Sequence, residues 1–253
     1  MTGIPRNATL GLMHTPFVIG HAAAGAEAPA NTLAGVRQCL DAGAQAMEID
    51  VQLCADGVPV LMHDDTVDRT TNLTGHVGSL SLSALQAADA GDGEPVPTLD
   101  QVLELVTGRL TVMCELKATP GDPAQDQHLV DAVLRVLERH DAKAWTAIHS
   151  FNPEMVERAR HTEPRVSAAI ISGPVHGSDL DRLLAAVLKR NGQAISVHHS
   201  CVDAALVEKA KRRQLTVWTW TPDNEAEWAP VVAAGVDGII TNHPHQLRDY
   251  LAR

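Results

Sequence analysis

The sequence predicts an α/β fold, a (β/α)8 TIM barrel with a small capping insertion after an antiparallel hairpin that follows strand 2. Short runs rich in Val and Ile alternate with amphipathic helical stretches, a pattern typical of parallel strands joined by crossover helices. One link between two strand candidates, Cys54-Ala-Asp-Gly57, is too short for such a crossover. A chain of 253 residues can build one barrel, and no linker divides it, so we expect a single domain over residues 1–253.

The elements follow from hydrophobic periodicity and from helix start signals. Strands are predicted at Phe17–His21, Ala46–Leu53, Val58–His63, Leu110–Leu116, Trp145–His149, Val166–Ile171, Ala194–His198, Leu215–Trp220 and Gly238–Thr241. Helices are predicted at Thr32–Ala42, Thr98–Thr107, Asp126–His140, Pro153–His161, Asp179–Lys189, Ala204–Arg213 and Asn224–Ala234.

One of these strands is in excess for an eight-stranded barrel. The Asp-Gly pair in the link before Val58–His63 can turn a hairpin, so this segment is predicted to be an antiparallel return strand. The chain from Asp64 to about Pro97 is rich in Asp, Thr, Gly and Ser, with a short helix candidate at Ser81–Asp89. We therefore expect a capping insertion over about residues 54–97.

Composition and charge restrict the class of protein. The chain is 45% apolar and 20% charged, as in ordinary globular proteins. A formal net charge of -11 disfavours nucleic acid and anionic membrane surfaces, which require clustered Lys and Arg. A small-molecule substrate or a bound cation fits this charge better. The sequence leaves a homo-oligomer open.

The cysteines and the N-terminus bear on the compartment. The four cysteines are scattered without a Cys-x-x-Cys pair, which predicts buried free thiols. Residues Met1–Thr15 lack a basic start followed by an apolar stretch, and nowhere do eighteen apolar residues run together. Neither export nor membrane spanning is indicated, so the cytoplasm is the expected location.

Two carboxylates, Glu48 and Asp50, stand in the apolar run Ala46-Met-Glu-Ile-Asp-Val-Gln-Leu53, where strand alternation directs both to one face. Burying two carboxylates costs several kcal/mol each unless a cation compensates, and a divalent metal ion would do so. A half-solvated strand with one polar face is the alternative for this pair taken alone.

Polar residues concentrate at the predicted strand ends, where barrels of this class carry their chemistry. They are His21, Glu48, Asp50, His63, Glu115, Lys117, Ser150, His198, His199, Trp218, Asn242 and His243. Several carboxylates together form a site for a hard divalent cation, Mg²⁺ or Ca²⁺, and the lack of nearby Cys argues against structural zinc. An anionic substrate would complete such a site.

Ordered motifs along nearly the whole chain carry a family resemblance. They are His21-Ala-Ala, Pro29-Ala-Asn-Thr32, Glu48-Ile-Asp-Val51, Asp56-Gly-Val-Pro-Val60, His63-Asp64, Arg69-Thr-Thr71, Pro97-Thr-Leu99, Glu115-Leu-Lys117, Ser150-Phe151, Trp218-Thr219 and Gly235-Val-Asp-Gly-Ile-Ile-Thr-Asn242. Together they resemble the glycerophosphodiester phosphodiesterases, which belong with the phosphatidylinositol-phospholipase-C-like phosphodiesterases.

The resemblance implies a role for each matching residue. Glu48, Asp50 and Glu115 would be metal ligands, His21 and His63 the acid/base pair, and Lys117 a phosphate contact. The implied activity is metal-dependent hydrolysis of a glycerophosphodiester to glycerol 3-phosphate and an alcohol. Imidazoles suit proton transfer near neutral pH, and a cation with a lysine would neutralise charge on phosphate.

Trp218 and the pair His198 and His199 are weaker candidates. Trp218 could form an apolar wall for the substrate, and core packing explains this tryptophan equally well. Because side chains alternate along a strand, at most one of the two histidines faces the barrel interior.

Three positions depart from the family pattern. Ala22, Ala23 and Ala30 stand where the family has Arg, Gly and Glu. The Arg would be a bidentate phosphate donor and the Glu its partner, so their joint loss avoids an unpaired charge. Three readings stay open: an enzyme retuned for another diester, with Glu27, Arg69 or His199 in the vacated space; a catalytically impaired member that binds a phosphorylated ligand or partner; and a lysophospholipase-D-like enzyme.

Overall fold

The computed structural model describes residues 15–253 and contains a closed barrel of eight parallel strands surrounded by helices. Around the sheet the strand order is β1-β9-β8-β7-β6-β5-β4-β2-β3, and pairing of β1 with β2 closes the barrel. The predicted (β/α)8 architecture is confirmed. Apart from Thr15, the segment Met1–Thr15, on which the expectation of no export leader rests, lies outside the described residues.

The strands are β1 (Phe17–Gly20), β2 (Ala46–Leu53), β3 (Pro59–Leu61), β4 (Thr111–Leu116), β5 (Thr146–Ser150), β6 (Ser167–Ser172), β7 (Ala194–His198), β8 (Thr216–Trp220) and β9 (Gly238–Thr241). The α-helices are α1 (Leu33–Asp41), α2 (Leu82–Ala87), α3 (Leu99–Val106), α4 (Pro123–Arg139), α5 (Pro153–Thr162), α6 (Gly177–Lys189), α7 (Ala204–Lys211), α8 (Glu225–Ala234) and α9 (Pro244–Leu251). Within residues 15–253, none of the helices combines the length and apolar character that crossing a bilayer requires.

Side-chain caps fix several helix starts. The hydroxyl of Thr32 accepts a hydrogen bond from Gly35 N at the start of α1, and Asn224 caps α8 in the same way. Thr98 and Gln101 form a reciprocal capping box at the start of α3. These residues satisfy backbone donors that have no partner inside the helix, which explains why the helices begin there.

Two apolar layers hold the barrel together. Alternate strand residues such as Ile49, Cys114 and Ile148 point outward and join the helix faces in one large buried cluster. The inward side chains of the lower barrel are apolar and form a second cluster: Ile19, Ala46, Met113, Ala147 and Ile240. The inward positions two residues further along β2, β4 and β5 carry the polar residues described below. The four cysteines, Cys39, Cys54, Cys114 and Cys201, are buried free thiols, as predicted.

The strand β3 is the predicted antiparallel return. It pairs with β2 in the register Val51↔Leu61 and Leu53↔Pro59. The chain that follows, together with β3, packs around a separate small apolar cluster: Cys54, Val60, Met62, Val67, Val77, Leu85, Ala90 and Val96. The insertion therefore has its own core beside the barrel mouth.

Candidate active site

Three polar side chains lie side by side on neighbouring strands. The parallel register pairs Asp50 of β2 with Glu115 of β4, and Glu115 with His149 of β5. Glu48 stands two residues before Asp50 on β2 and therefore faces the same side of the sheet. The expectation that both carboxylates of β2 point to one face is met, and both are almost fully buried.

Glu48 is ionised at the centre of this group. Its Oε2 accepts a hydrogen bond of 2.9 Å from the backbone N–H of Ala22. Burial opposes ionisation, but His149, His21 and the Ala22 N–H together hold the pKa of Glu48 down at about 2. Within residues 15–253, no group donates a hydrogen bond to Glu48 Oε1. One buried, negatively charged oxygen is thus left to face the cavity.

A left-handed turn places the Ala22 N–H at Glu48. Ala22, Ala23 and Ala24 all have positive φ, from 44° to 64°, a conformation unfavourable for residues with a Cβ. Helix α1 abuts this turn at Gly35, where an added Cβ would lie 1.9 Å from the carbonyl oxygen of Ala23. Only glycine fits this approach, so α1 holds the strained turn in place.

Asp50 has a hydrogen-bond partner at one carboxylate oxygen and an ion-pair partner at the other. Asn31 Nδ2 donates to Oδ2 at 2.7 Å, and the Asn31 side chain accepts from the Asp50 backbone N–H at 3.0 Å. Lys117 Nζ lies 2.7 Å from Oδ1. Asp50 is therefore clamped by one amide and one ammonium.

Lys117 also forms an ion pair with Glu115. Burial opposes its positive charge, but Asp50 and Glu115 outweigh burial and raise the pKa of Lys117. Burial, with the negative charges of Glu48 and Asp50, raises the pKa of Glu115, while Lys117 acts in the opposite direction. The site thus carries more carboxylates than its single lysine neutralises.

His149 is a site residue that the sequence analysis missed. The sequence reading took its neighbour Ser150 as the polar end of β5, but the Ser150 hydroxyl points away and donates to Leu116 O at 2.8 Å. His149 is buried with Nε2 3.8 Å from Glu48 Oε1, and neither ring nitrogen has a hydrogen-bond partner within residues 15–253. Strand alternation was the available signal, because Glu115 and His149 are register partners on adjacent strands.

The residues present fit a divalent cation. One ligand atom each from Glu48, Glu115 and His149 can be chosen so that all three lie within 4.8 Å of one another. Two of these side chains also bring buried polar atoms that have no hydrogen-bond partner, an arrangement that costs about 1–3 kcal/mol for each atom. A bound cation would satisfy these atoms and balance the charge.

His21 is oriented by a chain of two side chains. Asn242 Nδ2 donates to Asp223 Oδ2 at 2.7 Å, and its backbone N–H donates to Asp223 Oδ1 at 2.8 Å. A carboxylate only accepts hydrogen bonds, so the Asn242 nitrogen must face Asp223. The Asn242 Oδ1 atom therefore faces His21 Nδ1, 2.8 Å away. His21 Nδ1 therefore carries the hydrogen. Burial opposes charging of His21, but Glu48 and Asn242 raise its pKa.

His63 stands on the insertion side of the cavity. Its Nδ1 lies 2.7 Å from Asp64 Oδ1, and Arg69 Nε donates to Asp64 Oδ2 at 2.6 Å. The hydrogen bond from Arg69 has the larger effect on Asp64 and that from His63 the smaller, and together they lower the pKa of Asp64 to about 2. Asp64 thus stays ionised and orients His63 with Nε2 free. The side chain of His63 is 52% exposed, unlike that of His21 at 29%.

A cavity of about 250 Å³ collects most of the predicted site residues. Its lining contains His21, Glu48, His63, Glu115, Lys117, His149, Phe151, Ile171, Ser196, Trp220, Thr221 and Ile240. Trp218 is not among them: it packs against the lower apolar cluster, whereas Trp220, two residues further along β8, reaches the cavity. His198 lies against Trp220, with ring centroids 5.0 Å apart.

Comparison with known proteins shows the family of the chain. The model of the glycerophosphoryl diester phosphodiesterase family matches residues 21–246. The chain belongs to this family. YhdW of Bacillus subtilis (strain 168) is 31% identical over 235 residues, which cover 90% of this chain and 95% of YhdW.

Solved structures of glycerophosphoryl diester phosphodiesterase type share the fold. A structure from Silicibacter pomeroyi has a TM-score of 0.88 and 30% identity, covering 94% of both chains. An Oleispira antarctica phosphodiesterase, solved in complex with its product sn-glycerol-3-phosphate, has a TM-score of 0.85 and 25% identity, covering 94% of this chain and 98% of that one.

The family positions occupied by Ala22 and Ala30 differ in their surroundings. Ala22 is buried beside Glu48, whereas Ala30 is exposed. Glu27 does not fill the vacated space, because it bonds His245 of α9 through the histidine ring and backbone N–H. Asp64 holds Arg69 beside His63 on the insertion side.

Proposed function

We propose that this protein hydrolyses a glycerophosphodiester to glycerol 3-phosphate and an alcohol, with the help of a divalent cation. One observation carries the proposal: the buried ionised carboxylate of Glu48 presents to the cavity an oxygen that has no hydrogen-bond partner among residues 15–253, and two oriented histidines and a lysine line the same cavity. Buried charges of this kind concentrate at functional sites. Membership of the family and the product-bound relative support the same reaction.

Glu48, Asp50 and Glu115 would hold the cation. When bound, it would neutralise charge that grows on the non-bridging phosphate oxygens in the transition state. Mg²⁺ and Ca²⁺ are the ions that a purely carboxylate ligand set favours. Lys117 Nζ, already beside Asp50 and Glu115, would add a second positive charge for the phosphate from within the cavity.

His21 and His63 would transfer the protons. Each has its Nδ1 beside an acceptor, Asn242 or Asp64, which leaves Nε2 for the reaction. One imidazole would take the proton of the attacking hydroxyl group, and the other would give a proton to the leaving alkoxide oxygen. Asn242 and Asp64 act here by fixing the tautomer and the ring orientation.

The surroundings of the cavity are mixed, because Phe151, Ile171 and Trp220 line the cavity itself, whereas the neighbouring groove is partly polar. A groove of about 450 Å³ shares Lys117 with the cavity, and its lining includes Gln52, Asp65, His76, Asp122 and Gln125. A lysophospholipase-D-like enzyme would need a broad apolar lip for a lipid tail. The leucines available for one, Leu80, Leu82 and Leu85, pack into the small core of the insertion.

A second candidate function is binding of a phosphorylated ligand without turnover. The observation in its favour is the loss of the family Arg at Ala22, which removes a bidentate phosphate donor from the site. The retained carboxylates, histidines and lysine favour the enzyme, because these are costly groups to bury without a use.

The test is a product assay on a panel of glycerophosphodiesters that includes glycerophosphocholine. Purified protein would be incubated with Mg²⁺, Ca²⁺, Mn²⁺ or a chelator, and glycerol phosphate would be measured. We expect release that the chelator stops. If no diester releases glycerol phosphate and the protein still binds glycerol phosphate saturably, the second candidate function, binding without turnover, would be correct instead.

A further inference from the structure

We infer that His149 is a direct ligand of the cation and that it shifts the preference of the site from Ca²⁺ toward a transition-metal ion such as Mn²⁺. The inference rests on the proposed function, in which a cation binds beside Glu48 and Glu115. It concerns a residue outside the carboxylate set that the sequence motifs indicate, and it makes the site chemically different from a site built of oxygen ligands alone.

The position of His149 carries the first step. It lies on β5 as the register partner of Glu115, so its side chain enters the barrel interior at the level of the carboxylates. The residue is 2% exposed, and neither ring nitrogen has a hydrogen-bond partner within residues 15–253. A buried imidazole normally forms a polar interaction through at least one ring nitrogen. A bound cation would provide that interaction for His149.

Packing and hydrogen bonding do not supply that partner. The distance of 3.8 Å from His149 Nε2 to Glu48 Oε1 exceeds a hydrogen bond. Trp218 contacts the ring edge to face, with centroids 6.5 Å apart, and satisfies neither nitrogen. Glu48 Oε1 is itself without a partner, so two unsatisfied ligand atoms from different strands face each other. A cation between them would satisfy both.

Asp50 is less available than His149. Asn31 holds its Oδ2, and Lys117 Nζ lies at its Oδ1. The ligand atoms that approach one another within 4.8 Å come from Glu48, Glu115 and His149. His149 would therefore join the carboxylates as a ligand from β5, with Asp50 on the side of the site that Lys117 occupies.

This ligand set determines which cation binds more tightly. Ca²⁺ binds through six to eight oxygen ligands and gains little from an imidazole nitrogen, whereas imidazole is a good ligand for transition-metal ions. Two carboxylates keep the site suitable for Mn²⁺, which accepts oxygen and nitrogen together. Replacing one oxygen ligand by a nitrogen ligand should therefore weaken the binding of Ca²⁺ relative to that of Mn²⁺.

Calorimetric titration of the chelator-treated full-length protein tests the preference without any substrate. We expect the wild-type protein to bind Mn²⁺ at least tenfold more tightly than Ca²⁺. His149→Gln should lose at least tenfold in Mn²⁺ affinity and less than threefold in Ca²⁺ affinity. His161→Gln is the matched control, since His161 is exposed on α5, and it should leave both affinities unchanged.

Pulsed electron paramagnetic resonance of bound Mn²⁺ tests the ligand itself. A directly bound imidazole gives a ¹⁴N coupling, which we expect in the wild-type protein and in His21→Gln, but not in His149→Gln. If circular dichroism shows His149→Gln to be misfolded, coupling that is retained in both His21→Gln and His63→Gln still assigns it to His149, the other histidine that lines the cavity. No ¹⁴N coupling in the wild-type protein, or the same coupling in folded His149→Gln, would overturn the inference.

The two proposals can fail separately. Chelator-sensitive hydrolysis with no ¹⁴N coupling would leave the proposed function standing and remove His149 from the ligand set. Absence of any Mn²⁺, Mg²⁺ or Ca²⁺ binding to the wild-type protein at millimolar concentration would remove both the cation and its proposed ligand.

Discussion

The chemistry at the residue scale depends on buried charges that the protein alone does not balance. Glu48, Asp50 and Glu115 share Lys117 as their nearest lysine, and only Asp50 and Glu115 form ion pairs with it. Removing one partner of a buried ion pair is strongly destabilising, because it leaves the other charge uncompensated. Lys117, which pairs with two carboxylates, should therefore cost more stability to replace than Glu48.

Glu48→Gln should abolish cation binding without unfolding the protein. The amide has the size of the carboxylate but lacks the charge that the cation requires. We expect a loss of at least about 100-fold in cation affinity and a modestly lower melting temperature in chelator, because His149, His21 and the Ala22 N–H favour the carboxylate over the amide. Titration calorimetry and differential scanning calorimetry would measure the two. A lower melting temperature with unchanged cation affinity would mean that Glu48 is structural.

Lys117→Met should destabilise the protein in the absence of metal. The variant leaves Asp50 and Glu115 without their ammonium, which should cost about 3–5 kcal/mol in the free energy of unfolding. A divalent cation should restore part of this loss by mass action. Urea unfolding with and without Mn²⁺ would measure both effects.

Lys209→Met is the control for that experiment. Lys209 pairs with Asp181 at a more exposed position, so its removal should cost about 1 kcal/mol or less and show no response to the cation. Equal losses in the two variants would contradict a special role for Lys117.

At the scale of elements, strand alternation predicts much of the site. The apolar run of β2 with Glu48 and Asp50 fixes which face is polar, and the Asp-Gly link identifies β3 as the return strand. His149 escaped prediction because strand ends are uncertain by a residue, and a shift of one residue exchanges the inward and outward side chains. Trp218 was named from its motif, whereas Trp220, which shares the same lower cluster, is the tryptophan that also lines the cavity.

Other features depend on contacts between distant segments. The strained turn Ala22–Ala24 requires the close approach of α1 at Gly35, which local sequence does not reveal. The helix α9 was not predicted, although Pro244 in its first turn is a helix start signal. The contacts of Asp223 with Asn242 join the loop before α8 to the end of β9, so neither strand pattern indicates them.

The Asp223 and Asn242 pair yields a prediction for the loops after β8 and β9. In Asp223→Asn, residue 223 can donate as well as accept, so the side chain of Asn242 no longer has to donate to it. The amide of Asn242 can then flip and misorient His21. We expect kcat to fall about tenfold with little change in KM. The double variant Asp223→Asn with Asn242→Asp reverses donor and acceptor, and should recover most of the loss.

Steady-state kinetics of both single variants and the double variant would measure this coupling. Asn242→Asp alone should be impaired, since it places a second carboxylate against that of Asp223. If the losses of the single variants add in the double variant, the pair does not act on His21 as a unit.

At the scale of the whole molecule, the barrel and the insertion have separate apolar cores. Leu85 is fully buried in the insertion cluster, and Leu137 in the outer barrel core. Leu85→Ala should lower the free energy of local opening of residues 64–97 by about 2–4 kcal/mol and leave the barrel amides protected. Leu137→Ala should instead lower global stability.

Native-state hydrogen exchange would separate these two effects by residue. Uniform loss of protection across the chain in Leu85→Ala would show that the insertion and the barrel unfold together. Retained protection of the barrel would show that the insertion carrying His63 can open while the carboxylate strands stay folded.

The whole fold brings together groups from seven barrel strands and the insertion around one cavity, and hydrolysis of a glycerophosphodiester there is the central claim. The most direct test is release of glycerol phosphate from glycerophosphocholine and related diesters by the wild-type protein and Glu48→Gln, with divalent cation or chelator. We predict turnover by the wild-type protein with cation, and none with chelator or with the variant. Equal release by the wild-type protein and Glu48→Gln would contradict the account.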